Sequence, residues 1–114
     1  MSDEMEVLNT LCSYMYSLKK GMGSAINKFQ SGKENEALNL MPLIIDGMQW
    51  TVQALTLTQD VYEKKIDLNE LNQKLEEIVE AMENQDYILV GDLFEYEIIP
   101  ILENIHDIVK EYII

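Results

Sequence analysis

A chain of 114 residues that is 47% hydrophobic has the size of one domain, over residues 1–114, and is too apolar for a disordered acidic tail. Its 21 acidic residues outnumber 8 basic residues, all of them lysines, and give a net charge of −13. Because nucleic acids and anionic membrane surfaces attract clustered positive charge, this balance argues against both as partners.

The cysteine content and the N-terminal region predict a cytoplasmic protein. Cys12 is the only cysteine, which leaves no intrachain disulfide and no cysteine-based metal site. We expect it to be a buried small hydrophobic residue beside the apolar stripe of the first helix. The acidic Ser2-Asp3-Glu4 start does not resemble a signal peptide, and no run of about 18 apolar residues occurs.

Four segments, over residues 8–29, 38–62, 68–82 and 87–112, carry apolar residues at alternating three- and four-residue steps. This spacing is typical of helices that pack at shallow angles in bundles. Capping boxes are predicted at Asp3/Glu6, Ser31/Glu34 and Asp67/Glu70, and Asp86 is predicted to cap the last helix. Short connections favour antiparallel neighbours. The prediction is an all-α, antiparallel up-down-up-down four-helix bundle with long helices 2 and 4, kinked at Pro42 and Pro100.

Helix 2 carries a second apolar stripe on the side opposite its core stripe, and the first half of helix 4 does the same. A helix in a four-helix bundle buries one face, so extra stripes predict a further packing partner. The other interpretation is that the chain's own termini or wider helix faces cover these side chains. The interface candidates are Leu43, Trp50, Ala54, Leu57 and Val61 on helix 2, and Leu89, Leu93 and Tyr96 on helix 4.

One motif resembles a metal-binding pair. Glu103-x-x-His106 has the spacing of the ligands that di-iron bundles use, but it occurs once and His106 is the only histidine. On a regular helix Glu103 points away from the core and His106 lies at the edge of the apolar stripe. We therefore expect a surface glutamate and a boundary histidine, with no metal or other cofactor bound.

No further motif predicts catalysis. The sequence shows no Gly-rich phosphate loop and no Ser or Cys nucleophile beside a histidine, so we expect no enzymatic activity. Glu95 and Glu97 are candidates for ion pairs with the lysines of the first helix, Lys19, Lys20 and Lys28.

Two segments resemble a family of short, uncharacterised helical proteins of Gram-positive bacteria. They are the runs GDLFEYEIIPIL, which begins at Gly91, and LIIDGMQW, which begins at Leu43. The resemblance implies a small bacterial helical protein and no particular activity. Both segments coincide with the extra apolar stripes.

The leading hypothesis is a non-enzymatic protein-interaction module: a homodimeric helical bundle, or an adaptor or chaperone-like protein that holds a protein partner. One alternative is a metal-binding bundle that uses Glu103 and His106. The other is an acidic regulator that binds a basic partner through its charge.

Overall fold

The computed structural model describes residues 3–62 and 66–113, and these residues are almost entirely helical, with no strand among them. The helices are α1 (Asp3–Gln30), α2 (Glu34–Leu57), α3 (Asn69–Glu83), α4 (Tyr87–Leu93) and α5 (Ile99–Lys110). A short 3-10 turn covers Gln59–Val61, and a π-helical turn covers Phe94–Ile98. Because α4, the π turn and α5 follow one another without a break, we treat residues 87–110 as one C-terminal helix. The all-α prediction with four helical segments is confirmed for the described residues.

Acidic side chains mark the starts of the last two helices, as predicted. Asp86 accepts a hydrogen bond from the backbone N–H of Leu89 at 3.2 Å and caps α4. Asp67 accepts one from the backbone N–H of Asn69 at 2.9 Å, just before α3 begins. Such acceptors satisfy N–H groups that lack a partner inside the helix.

The capping box predicted at Ser31 is wrong. The residue before α2 is Lys33, and no side chain caps this helix start. The Ser31 hydroxyl instead donates to the carbonyl of Lys28 in the last turn of α1. Gly32 follows with φ of 77°, a left-handed conformation that glycine adopts easily after a helix.

Helix α2 ends earlier than the apolar pattern predicted. Its last residue is Leu57, and Val61 lies in the 3-10 turn, partly buried against the core. The hydroxyl of Thr58 donates to the carbonyl of Ala54 at 2.7 Å, and it also lies 2.7 Å from the hydroxyl of Tyr62. These bonds occupy the final turn of the helix and fix the direction in which the chain leaves it.

Helix α1 packs against α2 and against the C-terminal helix, and α3 packs against both of those partners of α1. The largest fully buried side chain is Phe94, in the π turn, where Ile99 donates its backbone N–H to the carbonyl of Phe94. Pro100 follows in the first turn of α5, where a missing N–H costs little. None of the described helices is long and apolar enough to span a bilayer.

Candidate functional site

Three apolar residues of α2 form a line along its outer side. Leu43, Trp50 and Leu57 are spaced by seven residues, and side chains at this spacing differ by only about 20° around a helix. Leu43 and Leu57 are each 72% exposed, and Trp50 is partly buried. We call these three residues the α2 edge. Aliphatic side chains this open to water gain free energy when a partner covers them.

Helix α1 holds Trp50 in place. The rings of Trp50 and Tyr14 meet edge to face, with centroids 5.2 Å apart. Tyr14 in turn lies over Gly47, because a side chain there would collide with the Tyr14 hydroxyl and come within 3.1 Å of Leu18. The glycine therefore lets α1 approach α2 closely and keeps the indole fixed at the surface.

An uncharged groove runs between α1 and α2 beside Leu43. It holds about 160 Å³ and is lined by Tyr14, Ser17, Leu18, Gly21, Leu40, Leu43 and Ile44. Small-molecule sites are usually about 300–1,000 Å³, so this groove is suited to a protein side chain. Residues 37–57 of α2 contain one charged residue, Asp46, in a chain that has 21 acidic and 8 basic residues. Interface centres are depleted in charge in the same way.

Two predicted interface residues are buried inside the chain instead. Ala54 is 2% exposed and Leu93 is 4% exposed, so neither belongs to an open surface. Ala54 is buried on the Gly47 side of α2, where small residues permit close packing. A helical wheel identifies both sides as apolar, but it does not tell which of them a neighbouring helix covers.

A second exposed patch lies at the start of the C-terminal helix. Leu89 is 42% exposed, Tyr96 is 69% exposed, and Ile88, which the sequence analysis did not single out, is 81% exposed. The C-terminal helix has its main contacts with α1 and α3, not with α2. We call Ile88, Leu89 and Tyr96 the C-terminal patch and distinguish it from the α2 edge.

The structure places a cysteine beside the histidine, which contradicts the sequence analysis. His106 is fully buried rather than at a boundary, and its Nε2 lies 3.3 Å from the Sγ of Cys12, 94 residues away in the chain. Its Nδ1 lies 2.9 Å from the Nζ of Lys19, and its ring contacts Tyr16 at a centroid distance of 4.4 Å. Cys12 is buried, as predicted.

The contacts of His106 define its tautomer. A lysine ammonium only donates hydrogen bonds, so Nδ1 accepts from Lys19 and the neutral ring carries its proton on Nε2. That proton points toward the sulfur of Cys12, and an imidazole in this state does not serve as a base for the thiol. Burial lowers the pKa of His106, and the positive charges of Lys19 and Lys110 lower it further. The arrangement ties α1 to the C-terminal helix.

The two residues of the predicted metal pair do not converge. Glu103 lies on the exposed side of α5, and His106 lies in the core with both ring nitrogens in contact with α1. Among the residues that the structure describes, no three His, Cys, Asp or Glu side chains are grouped closely enough to hold a metal ion.

The ion pairs predicted for Glu95 and Glu97 are wrong. Glu95 accepts a hydrogen bond from the amide of Gln30 at 3.1 Å. Glu97 pairs with Lys74 of α3 at 2.9 Å, and Lys74 also reaches Glu77 at 3.0 Å. The hydrogen bonds to Glu97 and Glu77 raise the pKa of Lys74. These contacts connect the π turn to α1 and to α3.

The fold and the site define a small all-α domain with an exposed, nearly uncharged edge on its second helix. The chain belongs to a family described as a domain of unknown function, DUF8042, whose sequence pattern matches residues 6–108. No curated protein and no solved structure matches it. The matched range includes the α2 edge, the groove and the C-terminal patch.

Proposed function

We propose that this chain is a non-enzymatic protein-interaction module that associates with a second copy of itself through the α2 edge. The observation that carries the proposal is the 72% exposure of both Leu43 and Leu57, in line with Trp50 on a helix stretch with one charge. Burying apolar surface contributes about 25 cal/mol per Å², and large aromatic side chains supply much of the contact area in interfaces.

The proposed bundle has antiparallel, up-down-up-down helices, with bends at Pro42 and Pro100. Contacts between α1 and the C-terminal helix support this arrangement. Phe29, near the end of α1, stacks on Tyr87 at the start of the C-terminal helix. Cys12, in the first half of α1, contacts His106 near the end of that helix. Opposite directions of two neighbouring helices account for both contacts.

The C-terminal patch is less suited to a second copy of an acidic chain. Residues 86–97 contain four acidic residues, Asp86, Asp92, Glu95 and Glu97, and no lysine. Two copies that met there would bring like charges together, which opposes association. Tyr96 lies between two of these carboxylates. The α2 edge has no such charge around it, so we assign the contact to α2.

A substitution on α2 tests the proposal against a matched one on the C-terminal patch. Leu57→Glu places a charge on the α2 edge, and we expect it to convert a dimer into a monomer in size-exclusion chromatography with light scattering. Ile88→Glu introduces the same charge at a residue that is 81% exposed, and the dimer should persist. Circular dichroism checks that both variants keep their helix content.

A monomeric wild-type protein at all accessible concentrations contradicts the proposal, as does a dimer that Leu57→Glu leaves intact. Metal binding by Glu103 and His106 and electrostatic capture of a basic partner stay predictions. A cytoplasmic location and an origin in Gram-positive bacteria also stay predictions.

A further inference from the structure

We infer that two copies pair α2 against α2 in antiparallel orientation, about a two-fold axis that passes beside Trp50. This inference rests on the proposed function and specifies its geometry. In a closed dimer of this kind the same surface is used by both copies, so the surface has to be complementary to itself. The α2 edge meets that condition in its spacing, its charge and its shape.

The spacing is symmetric about Trp50. Leu43 precedes it by seven residues and Leu57 follows it by seven. A two-fold axis at position 50 places each residue opposite the one equally far on the other side. Leu43 then faces Leu57 of the second copy, at two equivalent places about 10.5 Å from the axis, and the two Trp50 side chains meet at the centre.

The charge pattern favours the antiparallel orientation over the parallel one. Asp46 is the only charged residue between positions 37 and 57. In the antiparallel pair it lies across from position 54, where the second copy has an alanine. A parallel pair in register would place Asp46 of one copy next to Asp46 of the other, and like charges at close range oppose pairing.

The groove between α1 and α2 supplies the complementary shape. Leu43 forms part of its lining, together with Tyr14, Leu18 and Leu40, and its volume is about 160 Å³. Because Leu57 of the second copy lies opposite Leu43, it reaches the mouth of this uncharged groove. The symmetric contact therefore buries both 72% exposed leucines against apolar walls.

Disulfide cross-linking between single variants tests the orientation. Leu43→Cys and Leu57→Cys chains, one of them with a size tag, are mixed and oxidised with copper–phenanthroline, and the products are separated on non-reducing gels. We expect the mixed product to exceed each self-linked product several-fold. Two copies of position 43 are separated by 14 residues of helix in the antiparallel pair, about 21 Å, whereas a disulfide joins Cα atoms less than about 7 Å apart.

The controls use residues off the α2 edge. Wild-type protein carries only Cys12, which is 5% exposed, and should not cross-link. Ile88→Cys should give no product either. Dimers that link position 43 to 43 and 57 to 57 overturn the antiparallel geometry and leave the proposed function standing. Dimers that link through Ile88→Cys place the contact off α2 and overturn the inference. A protein that light scattering shows to be monomeric, and that forms no product, overturns the proposed function itself.

Discussion

The imidazole of His106 derives its chemistry from residues on another helix. Lys19 donates to one ring nitrogen, and the other faces the sulfur of Cys12, while the ring itself is fully buried. Adding a proton to this ring would place a third positive charge beside Lys19 and Lys110. Asp107 is the one carboxylate that opposes this effect, and its influence is the weakest. The folded protein therefore favours the neutral ring.

This preference predicts a loss of stability on mild acidification. The folded pKa of His106 lies below the ordinary value of about 6.5, so the unfolded chain takes up the proton first. The stability contributed by the neutral ring is complete above pH of about 6.5 and declines as the pH falls below it. The unfolding free energy of the wild type should therefore fall relative to that of His106→Gln between pH 7 and pH 5, in chemical denaturation.

The ring signal of the only histidine gives a direct check by NMR. Its titration midpoint should lie below 6.5 in the folded protein. A midpoint above that value, or parallel stability curves for the two proteins, would contradict this account of the buried cluster.

At this scale the sequence predicts burial better than it predicts contact. Cys12 lies beside the apolar stripe of α1, which correctly indicated a buried thiol. Its contact with His106 joins residues 94 positions apart and depends on the register between two helices, which periodicity does not contain. The same is true of Lys74 and Glu97, whose pairing depends on how α3 lies against the π turn.

The packing of α1 on α2 depends on one residue without a side chain. At Gly47 an added methyl group would collide with the hydroxyl of Tyr14, whose ring supports Trp50. Overpacking of this kind typically costs about 1–3 kcal/mol. At Gly23, on the exposed side of α1, nothing lies within 4 Å of an added methyl group.

The two glycines give a matched pair of variants. Gly47→Ala should lower the unfolding free energy by about 1–3 kcal/mol and change the fluorescence of Trp50, because Tyr14 has to move. Gly23→Ala should raise it by about 0.5–1 kcal/mol through helix propensity and leave the fluorescence unchanged. Denaturant unfolding followed by tryptophan emission measures both. Equal behaviour of the two variants would show that α1 and α2 are not in close contact at Gly47.

At the scale of helices, the apolar pattern predicted the type and order of the elements but not which face each helix covers. The alternating steps indicated four helical segments, and Asp86 caps the last one as predicted. The stripe through Ala54 and Val61 was read as open, yet Ala54 is buried and α2 ends at Leu57. Only the arrangement of neighbouring helices decides such cases, because an apolar residue suits a packed face and an interface equally well.

For the whole molecule, net charge opposes the association that the α2 edge favours. Two copies together carry twice the charge of −13, so their long-range interaction is repulsive. The charge is unevenly distributed, however, and residues 37–57 contribute only Asp46 to it. Association through this stretch keeps most carboxylates away from the contact. Salt screens the remaining repulsion over about 10 Å at 0.1 M and does not weaken apolar contacts.

The molecular mass of the unmodified protein at low and high salt tests the central claim most directly. Sedimentation equilibrium across a concentration series should give twice the 13.2 kDa mass of the chain, with association as strong or stronger in 1 M salt. A mass of 13.2 kDa at every concentration, or a dimer that dissociates as the salt concentration rises, would contradict an association driven by the apolar edge of α2.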